Sequence, residues 1–230
     1  MNKGFKEFDY WPEREHIRDM LEKEFTKQGF TLTKTNKEHE IRLRKIASKN
    51  DDALSIKSII KVFKSMGVEV EIDFNNRNFF IGTIFCIFGS IREEILKKSC
   101  ILINKIEEMS ENKYIKEFEK VGVKDFKAIF LKTVLKFDYE RLKNFLIKFK
   151  SQYIEDGIEE MNRLYKALEG IEYGQECLRY SPYLTKDILK CTTVWEIFIK
   201  GKKIGRGGRS VSTVKDKRKS VVVISLHETD

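Results

Sequence analysis

From Ile91 to about Leu168 the apolar residues recur at three- and four-residue spacing, whereas the segments on both sides alternate. Grouped helices flanked by strands point to an α+β fold, an antiparallel β-sheet flanked by helices. The helical segments are IREEILKKSCILINKIEEM, NKYIKEFEKVG, VKDFKAIFLKTVL, YERLKNFLIKFKSQY and GIEEMNRLYKALEG. Their short connections imply antiparallel packing. We expect residues 91–150 to form an inserted helical subdomain, and 1–90 with 151–230 to form the core.

Punctuation places the flanking elements. In DYWPEREHIRDMLEKEFTKQGF, Asp9 suits a cap, Pro12 the first turn and Gly29 the stop. Ile17, Met20, Leu21 and Phe25 fall on one face. Phe30–Lys34 and Glu40–Ile46 alternate, the latter with Ile41, Leu43 and Ile46 inward and Arg42 and Arg44 outward. A second helix starts at Asp51 or Asp52 and stops at Gly67, followed by a strand over Val68–Phe74. The run Phe79–Phe88 is too short to span a bilayer and reads as a buried helix, with Phe79, Phe80, Phe85 and Phe88 in the core. Beyond Glu172 come four strand-like stretches: LRYSPYL, TVWEIFIK, KKIGRGGR and SVVVISL. Gly201 with Lys202 suits a hairpin turn.

The net charge of +9 favours an anionic partner, such as nucleic acid, nucleotide or a membrane surface, unless it only reflects lysine spread along the chain. Cys86, Cys100, Cys177 and Cys191 form no C-x-x-C pair, so a zinc site is not expected; they read as reduced, mostly buried thiols of a cytoplasmic protein. The N-terminus lacks the apolar core of a signal peptide. His16, His39 and His227 have no triad-like or metal-like neighbour and read as structural or solvated. No metal, cofactor or catalytic residue is expected.

The order of elements, with several short strings, resembles the catalytic domain of histidyl-tRNA synthetase and its non-catalytic relatives. These include the regulatory subunit of ATP phosphoribosyltransferase and the synthetase-like domain of an amino-acid-starvation kinase. FDYWPEREHIRDMLEKEFTKQGF resembles the family's opening helix. ALSIKSIIKVFKSMGVEVEIDFNNRNFFIGTIF resembles its helix, strand and helix bearing N-x-R, with Asn75, Asn76 and Arg77 at those positions. RYSPYLTKDILKCTTVWEIFIKGKKIGRGGR resembles the histidine-binding strand followed by G-x-G-G-R-Y-D. The resemblance implies a class II synthetase-like fold and covers about three quarters of the chain.

The departures bear on activity. The family's Phe-Arg-x-Glu segment and its late Gly-x-Gly-x-Glu-Arg are not found. In the histidine-binding string, Lys186 stands for an arginine, Asp187 for a glycine, Leu189 for an aspartate, and Lys190 and Cys191 for two tyrosines. Ser210 and Val211 replace the Tyr-Asp pair; Gly205, Gly207, Gly208 and Arg209 remain. Adenylate formation relies on fixed arginines that neutralise phosphate, and lysine is no substitute for a bidentate arginine. The expectation is a non-catalytic regulatory or binding module, with a histidine-biosynthesis enzyme as the implied partner.

Two other readings stay open. One is an RNA-binding protein, tRNA included, using Arg206, Arg209, Lys215, Lys217, Arg218 and Lys219. The other is an enzyme with a repurposed pocket around Lys186, Glu196 and Arg209, next to Gly205, Gly207 and Gly208. Against both, the glycines can simply let one strand pass close to its neighbour, and the basic cluster can be solvated. Self-association is left open.

Overall fold

A computed structural model describes residues 14–33, 40–46, 48, 50–89, 91–171, 176–214 and 217–227. Among the described residues seven strands form one sheet in the order β1-β2-β7-β6-β5-β3-β4. They are β1 (Thr31–Thr33), β2 (Glu40–Ile46), β3 (Glu71–Asn76), β4 (Leu178–Tyr180), β5 (Cys191–Ile199), β6 (Lys202–Val214) and β7 (Lys217–His227). The α+β class holds. The sheet is antiparallel apart from its last pair, where β4 runs parallel to β3.

Among the described residues there are eight α-helices: α1 (Arg14–Lys27), α2 (Asp51–Ser65), α3 (Arg77–Phe88), α4 (Glu93–Asn104), α5 (Glu111–Glu119), α6 (Asp125–Val134), α7 (Tyr139–Leu146) and α8 (Gln152–Leu168). Asp9 and Pro12 lie outside the described residues. In α1, Ile17, Leu21 and Phe25 are buried and Met20 is half-buried, as the spacing predicts. Gly67 takes a left-handed φ of 74° just past α2, where a side chain would be strained.

The apolar run is indeed a helix. Asn76 caps α3 by accepting from the Phe79 N–H at 3.1 Å. Phe79, Phe80 and Phe88 are buried, but Phe85 is 40% exposed, on the side of α3 turned from the core. α8 crosses α3 at close range. A side chain on Gly157 would meet the Phe79 backbone, and one on Gly82 would overlap Ile154. Two small residues therefore set how closely α8 approaches α3.

Several strand expectations shift. β3 begins at Glu71, not Val68, because Val68–Val70 lead out of the Gly67 turn; Val70 is buried there. LRYSPYL is a strand only to Tyr180, since Pro182 has no N–H to donate to a ladder. Ile46, expected inward, is 51% exposed at the last pair of β2 with β7, whereas Leu43 is buried. The hairpin turn is Lys200–Gly201, with φ of 49° and 74°, so Ile199 pairs with Lys202. Both positive angles suit a turn matching strand twist. Among the described residues no helix is long and apolar enough to cross a membrane.

Candidate functional site

Register decides which face each charged side chain occupies. Thr193, Trp195 and Ile197 of β5 sit opposite Arg209, Gly207 and Gly205 of β6. Because side chains alternate, these share one face with Asn76, Phe74 and Ile72 of β3. That face is covered by α2 and α8. Asp52 of α2 accepts from Thr193 Oγ1 at 3.0 Å, Asn76 donates to Glu160 of α8 at 2.5 Å, and Phe74 packs edge-on against Tyr165 of α8.

Arg209 belongs to this covered face and is only 8% exposed. Its Nε lies 3.3 Å from Asp52 Oδ2 and its Nη2 3.6 Å from Glu160 Oε1, with Arg163 Nη2 3.8 Å from the same Glu160 oxygen. It is thus separated from Arg206, with which the sequence reading grouped it.

The opposite face carries an open cleft of about 530 Å³. Its floor is Val194 and Glu196 of β5, Arg206 and Gly208 of β6, Val223 and Ser225 of β7, and Arg42 of β2; its wall is the segment from Leu184 to Cys191. Asn75, buried at the end of β3, holds that wall by donating to the Leu184 carbonyl at 3.2 Å. Thr185 donates to the Cys100 carbonyl at 2.7 Å, tying the same wall to α4. Four cations face the cleft: Arg42, Lys186, Lys190 and Arg206. Both carboxylates there are ion-paired. Asp187 lies 3.6 Å from Arg206 and 3.7 Å from Lys190, and Glu196 bonds Lys203. Arg42 donates to Ser225 across the β2–β7 pair at 3.4 Å.

Asp187 has a φ of 63°, in the region that favours glycine. The resemblance placed a glycine at this position, and aspartate is among the few other residues that tolerate it. Its carbonyl accepts from the Lys190 and Cys191 amides, closing the turn that aims Lys186 and Lys190 at the cleft. Burial, with Asp187 nearby, pushes the Cys191 thiol up to about 11. A neutral thiol is therefore present at ordinary pH.

Of the expected pocket residues, Lys186, Glu196, Gly207 and Gly208 line the cleft, while Gly205 and Arg209 do not. The glycines serve close approach. A Cβ on Gly207 would overlap the Trp195 indole, and one on Gly205 would meet the Ser225 carbonyl at 2.7 Å. Arg42 and Ser225 were not among the candidates from sequence, and Asp187 and Lys190 were read only as departures from the resembling string. Alternation had already turned Arg42 outward, but nothing local announced that β2 pairs with β7. Of the nucleic-acid candidates, Arg206 is in the cleft and Lys215 lies outside the described residues. Lys217, Arg218 and Lys219 pair through their backbones with Val214, Thr213 and Ser212.

His16 is exposed on α1, and His39 lies outside the described residues. The four cysteines are free and half-buried, less enclosed than expected. Among the described residues no group of three or more His, Cys, Asp or Glu is arranged to hold a metal ion.

The sequence matches no family profile and no curated protein. Solved structures share the fold. A histidyl-tRNA synthetase from Nostoc aligns with a TM-score of 0.67 and 20% identity, over 82% of this chain and 48% of its own. An ATP phosphoribosyltransferase regulatory subunit/histidyl-tRNA synthetase from Bacillus halodurans gives 0.65 at 13%, over 82% and 51%. The ATP phosphoribosyl transferase (HisG:HisZ) complex from Thermotoga maritima gives 0.52 at 13%, over 87% and 71%. The chain thus spans about half the length of the first two structures. The class II synthetase-like fold is shared with them.

Proposed function

We propose that the chain is a non-catalytic synthetase-fold protein that regulates through a protein partner, and that the partner is an ATP phosphoribosyltransferase catalytic subunit. The observation that carries this reading is the cleft. Four cations face it, and each of its two carboxylates is bound in an ion pair. Such a surface attracts an anionic effector by charge, and both of its carboxylates already face cations of the protein itself. Fold likeness to a regulatory subunit solved with its catalytic partner adds support, although fold by itself does not carry function.

The test mixes the chain with the catalytic subunit from the same source and measures mass by light scattering after gel filtration. A stoichiometric complex is expected; two separate peaks at micromolar concentration would refute the reading. Histidine-dependent exchange of pyrophosphate into ATP is expected to be absent, and its detection would restore the synthetase reaction.

One observation favours RNA as a second reading. Pairing of β6 with β5 ends at Ser210, and pairing of β7 with β2 ends at Val221. Val211–Val214 and Lys217–Ser220 continue beyond as a two-stranded ribbon carrying Lys217, Arg218 and Lys219. A basic ribbon suits a phosphate backbone. Titration with tRNA at two salt concentrations separates the readings: tight, salt-sensitive binding supports RNA, and none at low salt removes it.

A further inference from the structure

Exposed aromatic surface and positive charge coincide away from the cleft, on α6, α7 and the single 3₁₀ turn Ile147–Phe149 that follows. Ala128, Leu131 and Val134 turn the buried side of α6 inward. Phe126, Ile129 and Phe130 occupy the other side and are 59%, 41% and 43% exposed. Phe130 meets Phe145 edge-on at 5.8 Å, and Phe145 meets Phe149 at 5.4 Å. Phe149 is 46% exposed and Ile147 54%. The rings thus join two ridges of i, i+4 pairs, Phe126–Phe130 and Phe145–Phe149, into one apolar surface.

Between Lys124 and Lys150 there are eight Lys and Arg residues against three Asp and Glu. These 27 residues hold a net +5 of the chain's +9. Lys124, Lys136, Lys148 and Lys150 are exposed at the rim.

We propose that this face docks an amphipathic helix of a protein partner, with apolar residues along its contact stripe and acidic residues along its flanks. Ridges of i, i+4 side chains pack into the grooves of a facing helix, and the lysine rim complements acidic flanks. A second copy of this chain would bring the lysine rim against its like, which charge opposes. Single-stranded nucleic acid stacks on open ring faces. Here Phe130, Phe145 and Phe149 are engaged edge-on with one another, and Ile129 and Ile147 offer no ring. An anionic bilayer is the remaining alternative, and the vesicle arm of the test separates it. The inference does not rest on the regulatory reading, since it concerns a different face.

The test uses the full chain and two synthetic helix-forming peptides with identical leucine stripes, one flanked by Glu and the other by Lys. Fluorescence anisotropy is expected to show the Glu peptide binding at least about tenfold tighter. Phe126→Glu with Phe130→Glu, and separately Lys148→Glu with Lys150→Glu, are expected to weaken it by at least about tenfold with an unchanged circular dichroism spectrum. Four results would overturn the proposal: no binding of the Glu peptide; equal binding of both peptides; binding that survives the Phe126/Phe130 variant; or self-association, RNA binding or phosphatidylserine-vesicle binding that is tighter and lost in that variant.

Discussion

Arg209 Nε lies 3.3 Å from Asp52 Oδ2, joining β6 to the first turn of α2 beneath the sheet. Removing one member of a buried pair strands the other. Arg209→Ala is expected to cost about 3 kcal/mol, read as a lower urea midpoint. The Asp52→Asn/Arg209→Met double variant should cost clearly less than the two single changes added. A loss under about 1 kcal/mol for Arg209→Ala would mean that the pair behaves as a surface salt bridge.

Gly207 lies against the Trp195 indole, which a Cβ would overlap. Gly207→Ala is expected to cost about 1–3 kcal/mol through overpacking and to shift the tryptophan emission of the folded protein. An unchanged midpoint and spectrum would show that β5 and β6 separate freely here.

Acid should weaken the fold through two carboxyls. Burial alone would raise Asp51, but hydrogen bonds from Lys45, at 2.8 Å, and from Ser48 outweigh it and hold the carboxyl below 3.8. Hydrogen bonds from Lys120 and Lys98 bring Glu117 down from 4.5 to about 2. A carboxyl lowered by folding stabilises the fold at pH above its unfolded value and loses that contribution as pH falls through its folded value. The Glu117 contribution is therefore complete above 4.5 and gone near 2. The urea midpoint of Glu117→Gln should lie below wild type at pH 7 and converge on it as pH falls from 4.5 towards 2. That of Asp51→Asn should also lie below wild type at pH 7 and converge on it as pH falls below 3.8. A gap independent of pH would contradict the assignment.

Burial pushes the Cys100 thiol up to about 12, and the Cys86 and Cys191 thiols to about 11. The thiolate is the reactive form, and three units above 9.0 reduce it at Cys100 roughly a thousandfold. Labelling with a disulfide reagent at pH 8 should be slow at these three residues in the folded protein and fast in urea. Rapid native labelling of Cys100 would refute its burial.

Elements were more legible than their partners. Helical spacing marked α1, α2 and α3, and Gly67 and Gly89 stop two of them with positive φ. The covered side of Arg209 was not legible, because Asp52 and Glu160 lie far away in sequence and only the β5–β6 register puts Arg209 opposite Thr193. The cleft was half legible. Lys186 and Glu196 came from the resembling strings, but Arg42 reaches the cleft through β7, and no local pattern encodes that order. Phe126 and Phe130 fit helical spacing without revealing that their side of α6 faces away from the core.

The most direct measurement is the steady-state rate of the ATP phosphoribosyltransferase catalytic subunit from the same source, with and without this chain and across a histidine titration. A regulatory role requires the chain to change the rate or its inhibition by histidine, and Arg206→Glu in the cleft to reduce that change. Identical curves with and without the chain, at concentrations where both proteins are folded, would contradict it.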